Sequence, residues 1–92
     1  MSRGQTINGT GGEAAAEETA FGTHDLYLAS FLRCTGYELL DLRVEGRRKV
    51  FVFRDRSTRR NDVLAFYGDG VAVPPLAFAS AIKHMKAMLY NA

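Results

Sequence analysis

One short stretch of the chain constrains its fold more than any other: from Tyr37 to Glu45, apolar and charged residues alternate. Successive side chains of a strand point to opposite faces of a sheet, so this period of two predicts a strand with one face buried and one in water. We expect the buried face to carry the apolar residues Leu40, Leu42 and Val44. After a turn at Gly46, segment 49–55 is rich in the β-branched and aromatic residues that suit a second strand. The two segments predict a β-hairpin.

The second strand is apolar on both sides, because Phe51 and Phe53 point away from Val50 and Val52. Two strands alone are marginal in water, so the hairpin must rest on helices, gain segment 71–73 as a third strand, or pair with a second copy of the chain. We therefore expect Phe51 and Phe53 to lie in the core or in a homodimer interface. The basic residues before them resemble a strand of the RNA-recognition motif, but Val50 replaces its glycine and no strand is expected before the first helix. We do not predict that fold.

Three helices are expected around the hairpin. The first runs from about His24 to Thr35, with Thr23 as its N-cap and Gly36 as its end. The second starts after Ser57 or Thr58 and stops at Gly68, and the third opens at Pro74 or Pro75. A core-facing stripe of the third helix comprises Phe78, Ile82, Met85 and Leu89. The predicted order is α-β-β-α-α, and the predicted class is α+β.

The chain divides into a tail and one small domain. Residues 1–20 are mostly small or polar and cannot bury enough apolar surface to offset their ordering entropy, so they predict a disordered N-terminal tail. Residues 21–92 form the single domain. No stretch approaches the roughly twenty apolar residues that span a membrane, and the lone Cys34 cannot form an intramolecular disulfide. A reducing cytoplasmic location is expected.

Positive charge is concentrated around the hairpin. The whole chain carries a net charge of only +2, but positions 43–60 hold eight basic and two acidic residues, which leaves +6. Such residues neutralise nucleic-acid phosphates, although they also serve as solvated charge that protects a strand edge. The eight candidate phosphate contacts are Arg43, Arg47, Arg48, Lys49, Arg54, Arg56, Arg59 and Arg60.

Catalytic and metal sites are not predicted. His24 and His84 lie sixty residues apart, and neither they nor Cys34 belong to a clustered set of zinc ligands. No serine or cysteine lies in a recognisable nucleophile motif. We expect no cofactor, no metal and no enzyme activity.

Several short segments carry a family resemblance: 21–29, 36–40, 50–53, 65–67 and 73–79, followed by Leu89-Tyr90. Together they resemble a small prokaryotic and phage domain family described only as a domain of unknown function. The resemblance implies a domain from about Phe21 to Tyr90 and brings no activity, ligand or site residue. Two hypotheses on function remain: an accessory domain that binds DNA or RNA through the basic hairpin and the loop after it, and a protein-interaction or homodimerisation module that uses the apolar strand.

Overall fold

The computed structural model describes residues 19–91. The disordered tail expected for residues 1–20 lies outside this range, except for Thr19 and Ala20. Six elements follow one another within residues 19–91: β1 (Ala20–Thr23), α1 (Leu26–Cys34), β2 (Leu39–Glu45), β3 (Arg48–Arg54), α2 (Arg59–Tyr67) and α3 (Pro75–Asn91). The α+β class and the order α-β-β-α-α are confirmed, with one additional strand in front.

The sheet has three antiparallel strands in the order β1-β3-β2, so β3 lies in the centre. The third strand is therefore β1, and the expectation that segment 71–73 would supply it is wrong, because that segment is not a strand. The expectation that no strand precedes the first helix is also wrong. The first five elements follow the β-α-β-β-α order of the ferredoxin-like motif, and α3 stands where its last strand would follow. Element order alone implies no function.

The hairpin forms as predicted, with Gly46 in its turn at φ 63°, a backbone conformation that glycine adopts without strain. The predicted buried face of β2 is partly wrong. A bulge between Leu39 and Asp41 leaves Leu40 without a partner on β3, and Leu39 pairs with Phe53 instead. Leu40 is 41% exposed, and Val44, next to the hairpin turn, is 67% exposed.

The helices cover one face of the sheet. Phe51 and Phe53 point to that face and are 1% and 0% exposed. They join a core that includes Leu28, Leu32 and Met85 from α1 and α3. On the opposite face, strand residues alone line a shallow groove within the described part of the chain.

Strand β1 lies close against β3. Its register places Phe21 opposite Phe53 and Thr23 opposite Phe51. A side chain at position 22 would come within 2.9 Å of a methyl group of Val50, so Gly22 leaves room for that packing.

Helix α1 begins later than predicted, and its N-cap is Asp25 rather than Thr23. Asp25 Oδ1 accepts hydrogen bonds from the N–H groups of Tyr27 at 2.9 Å and Leu28 at 3.2 Å. The Thr23 hydroxyl instead accepts from the Asp25 N–H at 3.1 Å, because Thr23 is still part of β1. The helix ends as predicted before Gly36, which has a φ of 92°.

Helix α2 has no fully buried residue and is held at the edge of the core by specific contacts. Thr58 occupies its N-cap position but makes no capping hydrogen bond. The ring of Phe66 stacks on Phe31 with centroids 5.1 Å apart, and the Tyr37 hydroxyl donates to Asp62 at 2.5 Å. Burial and this hydrogen bond raise the pKa of Tyr37 above its ordinary value.

Helix α3 starts at Pro75, as predicted, and packs against α1. Met85 of the predicted stripe is 2% exposed, and Phe78 and Leu89 pack against the core. The α3 helix therefore ends beside the sheet, near the start of β3.

Candidate nucleic-acid interface

Three separate segments meet in a shallow cleft of about 530 Å³ at the turn end of the hairpin. The antiparallel pairing of β1 with β3 ends at Thr23 opposite Phe51, so the next residue, His24, comes alongside the start of β3. The last turn of α3 forms the other wall. We call this the hairpin cleft, and its lining residues are His24, Arg47, Arg48, Lys49, Phe51, Leu89 and Tyr90.

Arg48 and His24 contact each other at one side of the hairpin cleft. The distance from Arg48 Nη1 to His24 Nε2 is 3.0 Å. A guanidinium has only N–H donors, so Nε2 is the acceptor in this hydrogen bond. The contact fixes the guanidinium at the mouth of the cleft while leaving its other N–H groups available to an anion.

Lys49 joins the hairpin to α3. Its Nζ donates to the backbone carbonyl of Leu89 at 2.8 Å. That carbonyl belongs to the last turn of α3, where unpaired carbonyl groups and the negative end of the helix dipole favour a cation. The hydrogen bond therefore holds a positive charge directly beside Tyr90.

Arg47 and Tyr90 are the two exposed side chains of the hairpin cleft with no hydrogen bond, ion pair or ring contact among residues 19–91. Arg47 lies in the hairpin turn and is exposed. Tyr90 is 83% exposed, although it is one of the largest side chains of α3. Both are available to a ligand at no cost in internal contacts.

Three of the eight basic residues predicted as phosphate contacts make internal contacts away from the hairpin cleft. Arg54 Nε lies 3.0 Å from Glu38 Oε1 in an exposed ion pair. Arg59 pairs with Asp55 at 3.1 Å. Arg56 Nη2 donates to the Gly36 carbonyl at 2.6 Å, and its guanidinium lies 4.2 Å from the centre of the Tyr37 ring.

Two further basic residues lie outside the hairpin cleft but are exposed. Arg43 is on the opposite face of the sheet, with its Nε 3.7 Å from Asp41 Oδ2. Arg60 is in the first turn of α2 and has no ion pair within the described part of the chain. The structure thus brings together Arg47, Arg48 and Lys49, and it places the other five elsewhere.

A carboxylate next to the hairpin cleft organises the start of α1. Asp25 Oδ2 accepts a 2.5 Å hydrogen bond from the Tyr67 hydroxyl, which ties the start of α1 to the end of α2. Burial alone would raise the pKa of Asp25, but the hydrogen bonds from Tyr67 and from the N–H groups of Leu28 and Tyr27 outweigh it, so that pKa is lowered. The same hydrogen bond, with burial, raises the pKa of Tyr67 to about 12.

Phe51 and Phe53 were predicted to lie in the core or in a homodimer interface. Both are buried in the core of the single chain, and Phe51 also lines the hairpin cleft. Their role between two chains stays a prediction, because only one chain is described.

A second groove, between α1 and α3, is lined by Cys34, Ser80 and His84. Burial raises the pKa of the Cys34 thiol, and the nearby charge of Arg33 offsets only part of that rise. A thiol with a raised pKa has less of the reactive thiolate.

Among residues 19–91, no group of three or more histidine, cysteine or acidic side chains is arranged to hold a metal ion. The helices of the same range include none with the length and apolar character needed to cross a membrane.

The sequence interpretation missed three residues of the hairpin cleft: His24, Tyr90 and Leu89, of which Leu89 was expected only in the core-facing stripe of α3. The sequence predicts His24 at the start of α1, whereas it lies in the connection from β1 to α1. Tyr90 carries a weak sequence signal, since it is a tyrosine off the apolar stripe in the last turn of a helix. Its proximity to Lys49 depends on tertiary packing and has no local pattern.

The fold and the hairpin cleft define the class of protein: a small α+β domain with a one-sided antiparallel sheet and a basic cleft at the hairpin turn. Residues 18–91 match the model of a family described as a domain of unknown function, DUF5659. The chain belongs to that family. No curated protein and no solved structure matches this chain.

Proposed function

We propose that this domain binds nucleic acid without catalysing a reaction, and that the hairpin cleft holds the phosphate backbone. One observation carries the proposal: three consecutive cationic side chains, Arg47 to Lys49, line one cleft with His24. Consecutive residues of a strand normally point to opposite faces, which would separate these charges. Here the turn at Gly46 and the bond from Lys49 to α3 keep them around one opening.

The charges of the hairpin cleft are suited to phosphate for a second reason. The Arg48 guanidinium is oriented by His24, and an oriented guanidinium can donate two parallel hydrogen bonds to phosphate oxygens. No acidic side chain lines the hairpin cleft in the described range. A phosphate entering it would therefore meet no like charge on its walls, although the carboxylates of Asp25 and Glu45 belong to residues beside His24 and opposite Arg48.

The other predicted contacts have different parts in this proposal. Arg43 is exposed and can extend the positive surface, while Arg54 can do so only by giving up its exposed pair with Glu38. Arg60, in the first turn of α2, is assigned no phosphate contact. We assign Arg56 and Arg59 to holding the loop before α2, where their contacts already are.

Salt-dependent binding tests the proposal. Fluorescence anisotropy of labelled single-stranded and duplex oligonucleotides should give affinities that fall with salt, with a log–log slope near −2 to −3 if three phosphates are neutralised. Arg47→Ala should reduce the slope by about 0.7 to 0.9, the value for one phosphate contact. Arg60→Ala is the matched control, because Arg60 is an equally unpaired arginine outside the cleft. Absence of binding at low salt would contradict the proposal.

A homodimer is the second candidate function, and the exposed edge strand β2 favours it. Val44 and Leu40 of β2 are exposed apolar residues, and an unpaired edge can add a strand from a second copy. Val44→Lys should then convert a dimer to a monomer in light scattering after size-exclusion chromatography. A wild-type monomer at high concentration would end this alternative.

Location and origin complete the proposal. A cytoplasmic location fits the lone Cys34, which is free in the structure. A prokaryotic or phage origin rests on the family resemblance alone.

A further inference from the structure

The hairpin cleft has two chemically different walls. Arg47, Arg48 and Lys49 supply one wall, and the side chains of Leu89 and Tyr90 supply the other. A ligand that uses the whole cleft must therefore be anionic along one side and flat or apolar along the other. This requirement separates the classes of anionic polymer.

Single-stranded nucleic acid meets that requirement, and a duplex does not. In a duplex the faces of the bases are stacked inside and only phosphates, sugars and base edges are accessible. In a single strand the bases can turn outward and stack on an aromatic side chain while the phosphates stay in a positive groove.

Tyr90 is placed for such stacking. Its side chain is 83% exposed, and it makes no hydrogen bond or ring contact within the described range. Its neighbour Leu89 accepts the hydrogen bond from Lys49 Nζ at 2.8 Å, so a fixed cation lies one residue from the aromatic ring. One nucleotide carries both a phosphate and a base, so it has the two groups that the lysine and the tyrosine can each contact.

We propose that the hairpin cleft selects single-stranded nucleic acid and that an unpaired base stacks on Tyr90. This inference rests on the proposed function, since it names the form of nucleic acid that the same cleft takes. The phosphate contacts supply affinity for any nucleic acid, and Tyr90 supplies the preference for single strands.

The test compares tyrosine variants on two probes, a labelled 12-nucleotide thymidine single strand and its duplex with adenosine. Tyr90→Ala should weaken single-strand binding by about 5- to 150-fold, the effect of losing one stacked base, and leave duplex binding unchanged. Tyr90→Phe keeps the ring and should bind within about twofold of wild type. Tyr27→Ala is the control, because Tyr27 is also exposed, at 55%, but lies outside the cleft.

An abasic single strand of the same length separates stacking from phosphate binding. It keeps the phosphates and lacks the bases, so wild-type protein should bind it as weakly as Tyr90→Ala binds the thymidine strand. The salt slope should be the same for wild type and Tyr90→Ala, since no phosphate contact changes.

Failure of this inference can be told from failure of the proposed function. If Arg47→Ala reduces the salt slope but Tyr90→Ala binds the single strand as wild type does, the stacking inference is wrong and phosphate binding stands. If wild-type protein binds neither probe at low salt, both are wrong. Equal loss of single-strand and duplex binding in Tyr90→Ala would also refute the proposed selectivity.

Discussion

Removing the Asp25 side chain should destabilise the domain at one identifiable point. Oδ1 caps α1, and Oδ2 accepts the hydrogen bond from Tyr67. An N-cap is worth about 1 kcal/mol. A hydrogen bond to a charged group is worth about 1.5 to 3 kcal/mol, but Tyr67 is 59% exposed, so we take about 1 kcal/mol after solvent screening. Asp25→Ala should therefore lower the free energy of unfolding by about 2 kcal/mol.

Two further variants separate the two parts of this effect. Asp25→Asn keeps an oxygen that can cap the helix but replaces the acceptor for Tyr67 by an amide group, so it should cost only about 1 kcal/mol. Tyr67→Phe should cost a similar amount.

The assay is urea unfolding followed by circular dichroism, with a thermal scan as a second measurement. A loss of about 2 kcal/mol in a domain of this size corresponds to a fall in Tm of about 8 to 16 °C. In the double-mutant cycle, Asp25→Ala and Tyr67→Phe should show a coupling of about 1 kcal/mol. Strictly additive effects would refute the reasoning, because they would mean that the hydrogen bond contributes nothing. Glu45→Gln controls for the loss of charge alone, because the Glu45 side chain is an exposed carboxylate of β2 that makes no hydrogen bond or ion pair within the described range.

Three other outcomes follow from the fold. The hydrogen bond between Asp25 and Tyr67 contributes fully to the free energy of unfolding between about pH 4 and pH 10. At low pH its contribution is lost as the pH falls through the lowered pKa of Asp25. At high pH it is lost as the pH rises toward the pKa of Tyr67 near 12. The free energies of unfolding of wild type and Tyr67→Phe, measured by urea titration, should therefore converge from about pH 10 to about pH 12, and a constant difference would contradict this. Phe53→Ala should lower the free energy of unfolding by about 3 to 5 kcal/mol, since Phe53 is 0% exposed. Arg54→Ala should lower it by less than about 1 kcal/mol, because its ion pair with Glu38 is exposed. Gly46→Ala should lower the free energy of unfolding by about 1 to 2 kcal/mol in the same urea assay, because alanine is strained at a φ of 63°. Steric overlap adds nothing, since no described atom lies within 4 Å of the added methyl group. An unchanged free energy of unfolding would argue against that turn.

The sequence predicts the hairpin and the helices well because their signals are local. Gly46 and Gly36 mark a turn and a helix end through their own backbone conformations, and β3 is identified by its run of β-branched and aromatic residues. The apolar stripe of α3 is likewise a local period, and its residue Met85 is buried as expected.

The errors arise where pairing across the chain decides the structure. Strand β1 has only four residues, one of them Gly22, and becomes a strand because β3 pairs with it. The bulge at Leu40 shifts the register by one residue, which reverses the face of each side chain before it, and no alternation of residue types signals such an insertion.

The sequence predicts the local part of the candidate site but not the part that depends on contacts between distant segments. The basic run identifies Arg47, Arg48 and Lys49 as charges on the hairpin. Their meeting with His24 and Tyr90 joins segments that are more than twenty and about forty residues away along the chain. Only the packing of α3 beside the sheet creates that cleft.

A titration of ¹⁵N-labelled protein with the unlabelled thymidine single strand, followed by ¹H–¹⁵N correlation spectra at low salt, tests the central claim most directly. The account predicts that the largest shifts occur at the backbone amides of His24, segment 46–49, Leu89 and Tyr90, with small shifts at Arg60 and its neighbours in α2. Shifts confined to the open face of the sheet, around Arg43 and Val52, or no shifts at millimolar oligonucleotide, would contradict it.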